Sequence, residues 1–243
     1  MSLTIMIPAY KEADNLAKLL PQIKQRLQEL KVSSEIMIID DIKTDEKTTL
    51  VCKKNGCRHI NRVNGTLYGD AIRTGISQLR TQHVIIMDAD CSHNPKYLPQ
   101  FFALKNNYDL VIGSRYVEGG KTQNNYILIF MSLVVNVMYR IVLGLSIKDV
   151  SNSFRLYKTS DLKSLNLESD NFDIVEEILI KILVNHPNSK IKEIPIEFYK
   201  RAHGKSKRNL LKFILSYLAT MIKLKQIQQK EKTIFRKNHK LNR

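Results

Sequence analysis

Two aspartates one residue apart, Asp88 and Asp90, follow an apolar run in the segment HVIIMDADCSHNP. The run predicts a buried strand from His83 to Asp90, and the polar residues after it predict the loop at the strand's carboxyl end. In an extended segment this spacing places both carboxylates on one face. Hard divalent cations prefer such oxygen ligands and keep open positions for nucleotide phosphates. The alternative is a turn in which Asp90 or Ser92 caps a helix that begins near Pro95.

A second pair of acids, Asp40 and Asp41, ends the apolar run EIMIIDD. A carboxylate at the edge of a nucleotide crevice can accept hydrogen bonds from ribose hydroxyls or a base N–H, and a helix cap is the alternative use. The basic segment RAHGKSK, residues 201–207, could close over phosphates through Arg201 and Lys207, or could be part of a solvated tail.

Strands and helices alternate along the chain between residues 3 and 116, which predicts a mostly parallel sheet with helices on both faces. Ligands of such sheets lie beyond the carboxyl ends of the strands. Four predicted strands end in polar residues at that edge, namely Pro8 to Glu12, Asp40 with Asp41, Asp88 with Asp90, and Ser114 with Arg115.

The charge of the chain is concentrated at one end. The 243 residues have a net charge of +16, and residues 200–243 hold 14 Lys and Arg but a single acid, Glu231. The length and the 43% apolar content indicate one globular domain with a basic tail. Such a tail could meet nucleic acid, an anionic membrane surface or an acidic ligand. The three cysteines follow no zinc spacing and indicate no disulfide framework.

The apolar segment 126–147 is long enough to span a membrane. It contains Ser132, Asn136 and Arg140, and an arginine in the middle of a bilayer is costly. We therefore expect a helix or helix pair that lies in the membrane interface or packs on the sheet, in preference to a membrane span.

Seven segments together resemble the family-2 glycosyltransferases, in the branch around dolichol-phosphate mannosyltransferase. They occur in the family's order from residue 4 to 207 and read IPAYKEADNL, IIDDIKTD, AIRTGI, MDADCSHNP, VIGSRYVEGG, DVSNSFRLYK and KRAHGKSK. The resemblance implies an α/β protein of the GT-A fold, a Rossmann-like nucleotide-binding sheet. It implies a catalytic domain over residues 1–208, in which the segment 126–147 forms interface helices that guide a polyprenyl chain. An amphipathic basic tail follows over residues 209–243.

The resemblance also implies roles for individual residues. Asp88 and Asp90 would bind Mg²⁺ or Mn²⁺ that bridges the donor diphosphate, with Asp90 the more direct ligand and Ser92 completing the metal shell. The catalytic residues would be Asp90, Arg115 and Arg201. The residues that bind the nucleotide sugar would be Pro8, Tyr10, Glu12, Asp40, Asp41, Asp88, Arg115 and Lys207.

Two segments depart from the family's pattern. Ile42 and Lys43 stand where the family usually has Gly-Ser, and Asn152 and Ser153 stand where Ser-Gly is commoner. We expect His93 to be structural.

The implied activity is transfer of a hexose, mannose or glucose, from GDP-mannose or UDP-glucose to a dolichyl or undecaprenyl phosphate, with inversion. A phosphate monoester is already ionised near neutral pH and needs little help from a general base. Catalysis would then depend on positioning and on neutralising the leaving diphosphate. A glycan or protein acceptor on the same fold is the alternative. A basic protein that binds nucleic acid would leave the ordered acidic motifs unexplained, so we expect no nucleic-acid partner.

The expected location is the cytoplasmic face of a membrane. No signal-peptide pattern opens the sequence. A basic amphipathic tail most simply serves as a peripheral anchor on anionic lipid.

Overall fold

The computed structural model describes residues 2–43, 46–200 and 210–241, and in the last helix the side chains of residues 219–235. In chain order the elements are β1 (Leu3–Pro8), α1 (Ala13–Leu30), β2 (Ser34–Asp40), α2 (Glu46–Lys54), β3 (Arg58–Asn61), α3 (Tyr68–Gln78), β4 (His83–Ile86), a 3₁₀ turn (Pro95–Tyr97), α4 (Leu98–Ala103), β5 (Leu110–Ser114), β6 (Lys121–Thr122), α5 (Tyr126–Leu143), β7 (Arg155–Lys158), α6 (Thr159–Lys163), α7 (Ile174–Asn185), β8 (Ile191–Pro195), β9 (Glu197–Phe198) and α8 (Leu210–Leu241).

Seven of these strands form one sheet in the order β3-β2-β1-β4-β7-β5-β8. Neighbouring strands run parallel except for β7, which is antiparallel to both β4 and β5. The expected mostly parallel sheet is therefore confirmed. Strands β6 and β9 form a small separate parallel pair, and His93 makes an isolated bridge with Phe198 of β9.

Helices cover both faces of the large sheet, so its central strands are apolar on both sides. Successive residues of β1 point to opposite faces, and Met6 belongs to one core while Ile5 and Ile7 belong to the other. The core that contains Met6 includes residues of α3, α5, α7 and α8, and the second core includes residues of α1 and α4. Since both faces are buried, the sheet presents its edges and strand ends to ligands.

Helix α5 is apolar and lies on the surface. It begins at the Asn125 cap, whose side chain accepts the Leu128 N–H, and it ends at Gly144 in the left-handed conformation. Only a narrow stripe that includes Asn136 and Tyr139 is buried. Among the described residues α5 is the one helix whose length and composition would suit a membrane span. The segment predicted as one helix or two is thus a single helix, and its membrane role stays a prediction.

The described part of α8 packs on the body of the protein. Met221, Leu224 and Ile227 are buried, and Lys223 forms an ion pair of 2.9 Å with Asp173 beside α7. The Gln228 amide donates to the Leu143 carbonyl at the end of α5. The predicted division of the chain at residue 208 stays a prediction, although these contacts join α8 closely to α5 and α7.

Candidate nucleotide and metal site

The acidic segments meet at one edge of the sheet because β1 lies between β2 and β4. Beyond the strands, the Ala9 N–H donates to the Ile39 carbonyl at 2.8 Å and the Met87 N–H donates to the Met6 carbonyl at 3.1 Å. The carboxyl ends of β1, β2 and β4 are therefore joined side by side. The sequence predicted this edge as the ligand crevice, and the structure brings its polar segments together there.

Asp88 and Asp90 lie in a tight turn, which we call the acidic turn (residues 88–93). Strand β4 ends at Ile86, and Cys91 has a φ of 64°, so the extended strand predicted through Asp90 is wrong. Asp90 is buried and its Oδ1 accepts the Ser92 N–H at 3.0 Å. This hydrogen bond closes a turn in the backbone. The positions of Asp88 and Asp90 therefore do not follow from the alternation of side chains along a strand.

The helix-cap alternative for the acidic turn is also wrong. Asn94 is the residue that caps the 3₁₀ turn, because its side chain accepts the Lys96 N–H at 2.9 Å. Asp90 instead holds the amide of Ser92 within the acidic turn. Neither aspartate therefore caps the helix that begins near Pro95, and metal binding by the pair stays a prediction.

The donor set of the acidic turn fits a hard divalent cation. Ser92 is fully buried, and its Oγ has no hydrogen-bond partner among the residues that the structure describes. A buried hydroxyl without a partner is unfavourable unless another ligand satisfies it. No cluster of three His, Cys, Asp or Glu suited to a metal exists within the described ranges. A cation bound here would have at most two carboxylates and one hydroxyl of the acidic turn as ligands, with substrate or water supplying the others, and this metal site stays a prediction.

The residues predicted to bind the nucleotide begin where β1 ends at Pro8. Tyr10 is exposed, and the Lys11 ammonium lies 5.3 Å from the centroid of its ring. Lys11 has a φ of 56°, a left-handed conformation that is uncommon for a lysine. The Glu12 carboxylate accepts the Asn15 amide, which turns it towards α1. Tyr10 thus presents an exposed aromatic ring at this edge.

Asp40 and Asp41 differ in their surroundings. Asp40 is buried, and its carboxylate accepts the Asp41 N–H at 2.8 Å and lies 3.2 Å from His59 Nε2. Asp41 is only half-buried, and its Oδ1 accepts the Ile42 N–H at 2.9 Å. Both carboxylates therefore shape the turn after β2, and Asp41 is the more accessible. Their contacts with base or ribose stay predictions.

Arg62, which follows β3, was missed by the sequence reasoning. Its guanidinium donates to the carbonyls of Ala9 at 2.7 Å, of Leu67 at 3.2 Å and of Thr66, and so ties the loop after β3 to the end of β1. Burial lowers the pKa of Arg62 from its ordinary value, and the charges of Asp41 and Asp40 oppose this shift. The available signal was an arginine directly after a strand, the same signal that selected Arg115.

Arg115 is anchored rather than extended into the crevice. Its Nε and Nη2 form hydrogen bonds of 2.8 and 2.7 Å with the two carboxylate oxygens of Asp149, which is fully buried. The Arg115 backbone N–H also donates to Asp149, and Nη2 donates to Ser151 at 3.1 Å. A phosphate contact of Arg115 stays a prediction. The predicted residues Arg201 and Lys207 lie outside the described residues.

The fold defines the class: an α/β protein of the GT-A type. Residues 4–165 match the family described as Glycosyl transferase family 2. The chain belongs to glycosyl transferase family 2. The predicted GT-A fold and the predicted family are both confirmed.

Two relatives cover most of the chain. A dolichol-phosphate mannosyltransferase of Pyrococcus furiosus is 33% identical over 92% of this chain, which spans 64% of that relative's own length. An undecaprenyl-phosphate mannosyltransferase of Micrococcus luteus is 30% identical over 85% of this chain and 87% of its own length.

A solved structure shows the same fold. The glucosyl-3-phosphoglycerate synthase of Mycobacterium tuberculosis, in a complex with Mn²⁺, UDP and phosphoglyceric acid, superposes with a TM-score of 0.70 over 92% of this chain and 78% of its own. The sequence identity is 16%, so this similarity concerns the fold alone.

Proposed function

We propose that this protein is a metal-dependent transferase that moves a mannosyl group from a nucleotide diphosphate sugar to a polyprenyl phosphate. Family membership supports glycosyl transfer, and both relatives are named polyprenyl-phosphate mannosyltransferases. GDP-mannose is the proposed donor and a dolichyl or undecaprenyl phosphate the proposed acceptor.

The observation that carries the proposal is that an apolar surface helix is joined to the site through the loop at residues 150–153. Asn136 is a buried polar residue of α5, and its Oδ1 accepts the Val150 N–H at 2.7 Å and the Ser151 N–H at 3.2 Å. Ser153, two residues further on, donates to Asp88 Oδ1 at 3.0 Å. An acceptor with a charged phosphate and an apolar chain suits this combination of acidic turn and lipid-compatible helix.

The residues of the site support a reaction without a histidine base. When bound, a divalent cation would neutralise charge on the leaving diphosphate, and Asp88, Asp90 and the Ser92 hydroxyl are the groups that would hold it. His93 is fully buried, and both of its ring nitrogens form hydrogen bonds within the protein. A polyprenyl phosphate needs no such base because its phosphate oxygen is already ionised. The chain's own contribution is to orient donor and acceptor and to exclude water.

We further propose that the protein binds the cytoplasmic face of a membrane through α5, as a peripheral protein. Exposed apolar side chains of α5 include Tyr126, Ile127, Phe130 and Ile141. The inner face of the helix is held by Asn136, and the Lys225 ammonium of α8 donates to the Val142 carbonyl at 2.8 Å. A helix held to the body in this way favours an interfacial position over a span, and anionic lipid would attract the basic tail.

The test is a transfer assay with radiolabelled GDP-mannose or UDP-glucose, polyprenyl phosphate and Mn²⁺, followed by extraction into organic solvent. We expect mannose label in the lipid phase from the wild type, and none from Asp90→Asn. The matched control is Glu29→Gln, which removes an exposed acid at the far end of α1 that pairs with Arg26. Label that enters only a water-soluble glycan or protein would refute the lipid acceptor. Full activity of Asp90→Asn would refute the metal assignment.

A further inference from the structure

Residues 149–154, which we call the brace loop, hold the acidic turn through two side chains. Ser153 Oγ donates to Asp88 Oδ1 at 3.0 Å, and His93 Nε2 lies 3.0 Å from Asn152 Oδ1. Asn152 Nδ2 in turn donates to the Gly113 carbonyl at 2.7 Å, at the end of β5. Sequence separations of 65 residues for the serine contact and 59 for the histidine contact mean that only the tertiary fold creates these bonds.

The direction of each hydrogen bond in this chain of groups follows from its neighbours. The Asp88 N–H donates to His93 Nδ1 at 3.0 Å, so that nitrogen is an acceptor and the proton of the neutral ring lies on Nε2. The Asn152 orientation is set independently, because its Oδ1 also accepts the Phe154 N–H at 3.1 Å. Nε2 therefore donates to Asn152, and an unbroken series of hydrogen bonds leads from the Gly113 carbonyl to the Asp88 amide.

Packing holds the histidine ring in the same place. His93 has no exposed surface and stacks on Phe154 with 4.8 Å between ring centroids and 16° between planes. Phe198 of β9 contacts the same ring edge-on at 5.5 Å. The ring cannot rotate without displacing both aromatic neighbours. The hydrogen bonds from the ring to Asn152 and from the Asp88 amide to the ring therefore keep a fixed geometry.

The brace loop is itself held independently of the acidic turn. Asp149 forms the buried ion pair with Arg115, and its N–H donates to Glu193 of β8 at 2.9 Å. Asn136 of α5 accepts the amides of Val150 and Ser151. The brace loop is thus anchored by three other elements and can act as a fixed reference for the aspartates.

We propose that Asn152, acting through His93, and Ser153, acting directly on Asp88, position the acidic turn for divalent cations. The proposal rests on the proposed function only in taking the turn as the cation site. These are two of the positions at which this chain departs from the family's usual residues, and each places a side chain onto the acidic turn. A carboxylate that is already oriented loses less freedom when it binds a cation, so affinity rises without a new ligand.

The test measures Mn²⁺ affinity of the full chain by electron paramagnetic resonance of the free ion, with no substrate present. We expect Ser153→Ala and Asn152→Ala each to weaken Mn²⁺ binding about 10-fold, in the range known for groups that orient metal ligands. Ser153→Thr keeps the hydroxyl and is expected to restore binding. His93→Gln is expected to weaken binding as Asn152→Ala does. In transfer assays the Mn²⁺ concentration for half-maximal rate should rise in parallel.

Thr4→Val is the matched control for a general loss of stability. Thr4 is a buried hydroxyl near the opposite end of β1, where it contacts Thr81 at 2.8 Å and Glu35 at 2.9 Å. Thermal melts identify a set of conditions in which all variants are folded. The proposal is overturned if Ser153→Ala and Asn152→Ala bind Mn²⁺ with wild-type affinity. It is also overturned if Thr4→Val loses as much Mn²⁺ affinity as they do. Absence of Mn²⁺ binding by the wild type, both alone and with added GDP, would overturn the metal site and the metal dependence of the proposed function.

Discussion

The exposed face of α5 provides a quantitative test of membrane binding. Ile127 and Phe130 are each 67% exposed and Ile141 is 76% exposed, so most of their apolar surface is in contact with water. We consider replacement of all three by serine. Because these side chains are exposed, each substitution should change the free energy of unfolding by less than about 0.5 kcal/mol.

The expected effect on membrane binding follows from the area that lipid would cover. Burial of a whole Ile or Phe side chain contributes about 1.5–3 kcal/mol, so two thirds of each contributes about 1–2 kcal/mol. The three substitutions together should weaken binding by about 3–6 kcal/mol. Since about 1.4 kcal/mol corresponds to a factor of ten, the vesicle partition coefficient should fall by about 100-fold or more.

The assay is flotation of the full chain with vesicles of phosphatidylethanolamine and phosphatidylglycerol at several salt concentrations. Leu50→Ser is the matched control, because Leu50 is 65% exposed on α2 and not on α5. Its partition coefficient should equal that of the wild type. If the triple serine variant floats as the wild type does, α5 does not enter the lipid, and the reasoning from its exposed face is refuted.

Three further predictions concern stability. Burial raises the pKa of Glu176 to about 8, so the neutral carboxyl stabilises the fold fully below about pH 4.5 and this stability is lost as the pH rises through 8. Urea unfolding of Glu176→Gln should therefore depend less on pH between 5 and 9 than that of the wild type. Asp149→Ala leaves Arg115 without its buried partner and should reduce the free energy of unfolding by about 3–5 kcal/mol. Lys11→Asn relieves the left-handed strain and should raise the free energy of unfolding by up to about 1 kcal/mol.

Each of these predictions has an outcome that contradicts it. Parallel pH profiles for Glu176→Gln and the wild type would show that the carboxyl does not titrate as its burial indicates. An Asp149→Ala variant as stable as the wild type would mean that water or another group satisfies Arg115. A loss of stability in Lys11→Asn would show that the contact between Lys11 and the Tyr10 ring outweighs the strain.

The sequence was a sufficient guide to the parallel part of the sheet. Strands β1, β2 and β4 each appear as an apolar run followed by acids or other polar residues, and helices with regular apolar spacing separate them. These are local patterns, either a continuous apolar run or an apolar repeat of about 3.6 residues, so they can be recognised without long-range contacts. The edge at which the carboxyl ends of these strands meet could be predicted as well, because parallel strands end on the same side of a sheet.

The local geometry of the acidic turn could not be predicted in the same way. The strand ends at Ile86, before the aspartates, and the cap that the sequence offered as an alternative role for Asp90 or Ser92 is supplied by Asn94. Several neighbouring side chains were suitable caps, and only the path of the backbone selects among them. The contacts of Arg62 with Ala9 and of Asp149 with Arg115 join residues that are remote in sequence, so no local pattern predicts them.

The sequence by itself thus determined the class of fold, the edge at which the acidic strand ends meet and the residues from which the acidic turn is made, because these depend on local order and on residue type. Tertiary structure alone decided that β7 inserts antiparallel between β4 and β5. That insertion carries Asn152 and Ser153 to the acidic turn, where they contact His93 and Asp88. Contacts between residues so far apart in the chain leave no periodic signal, since their geometry depends on how the whole sheet is assembled.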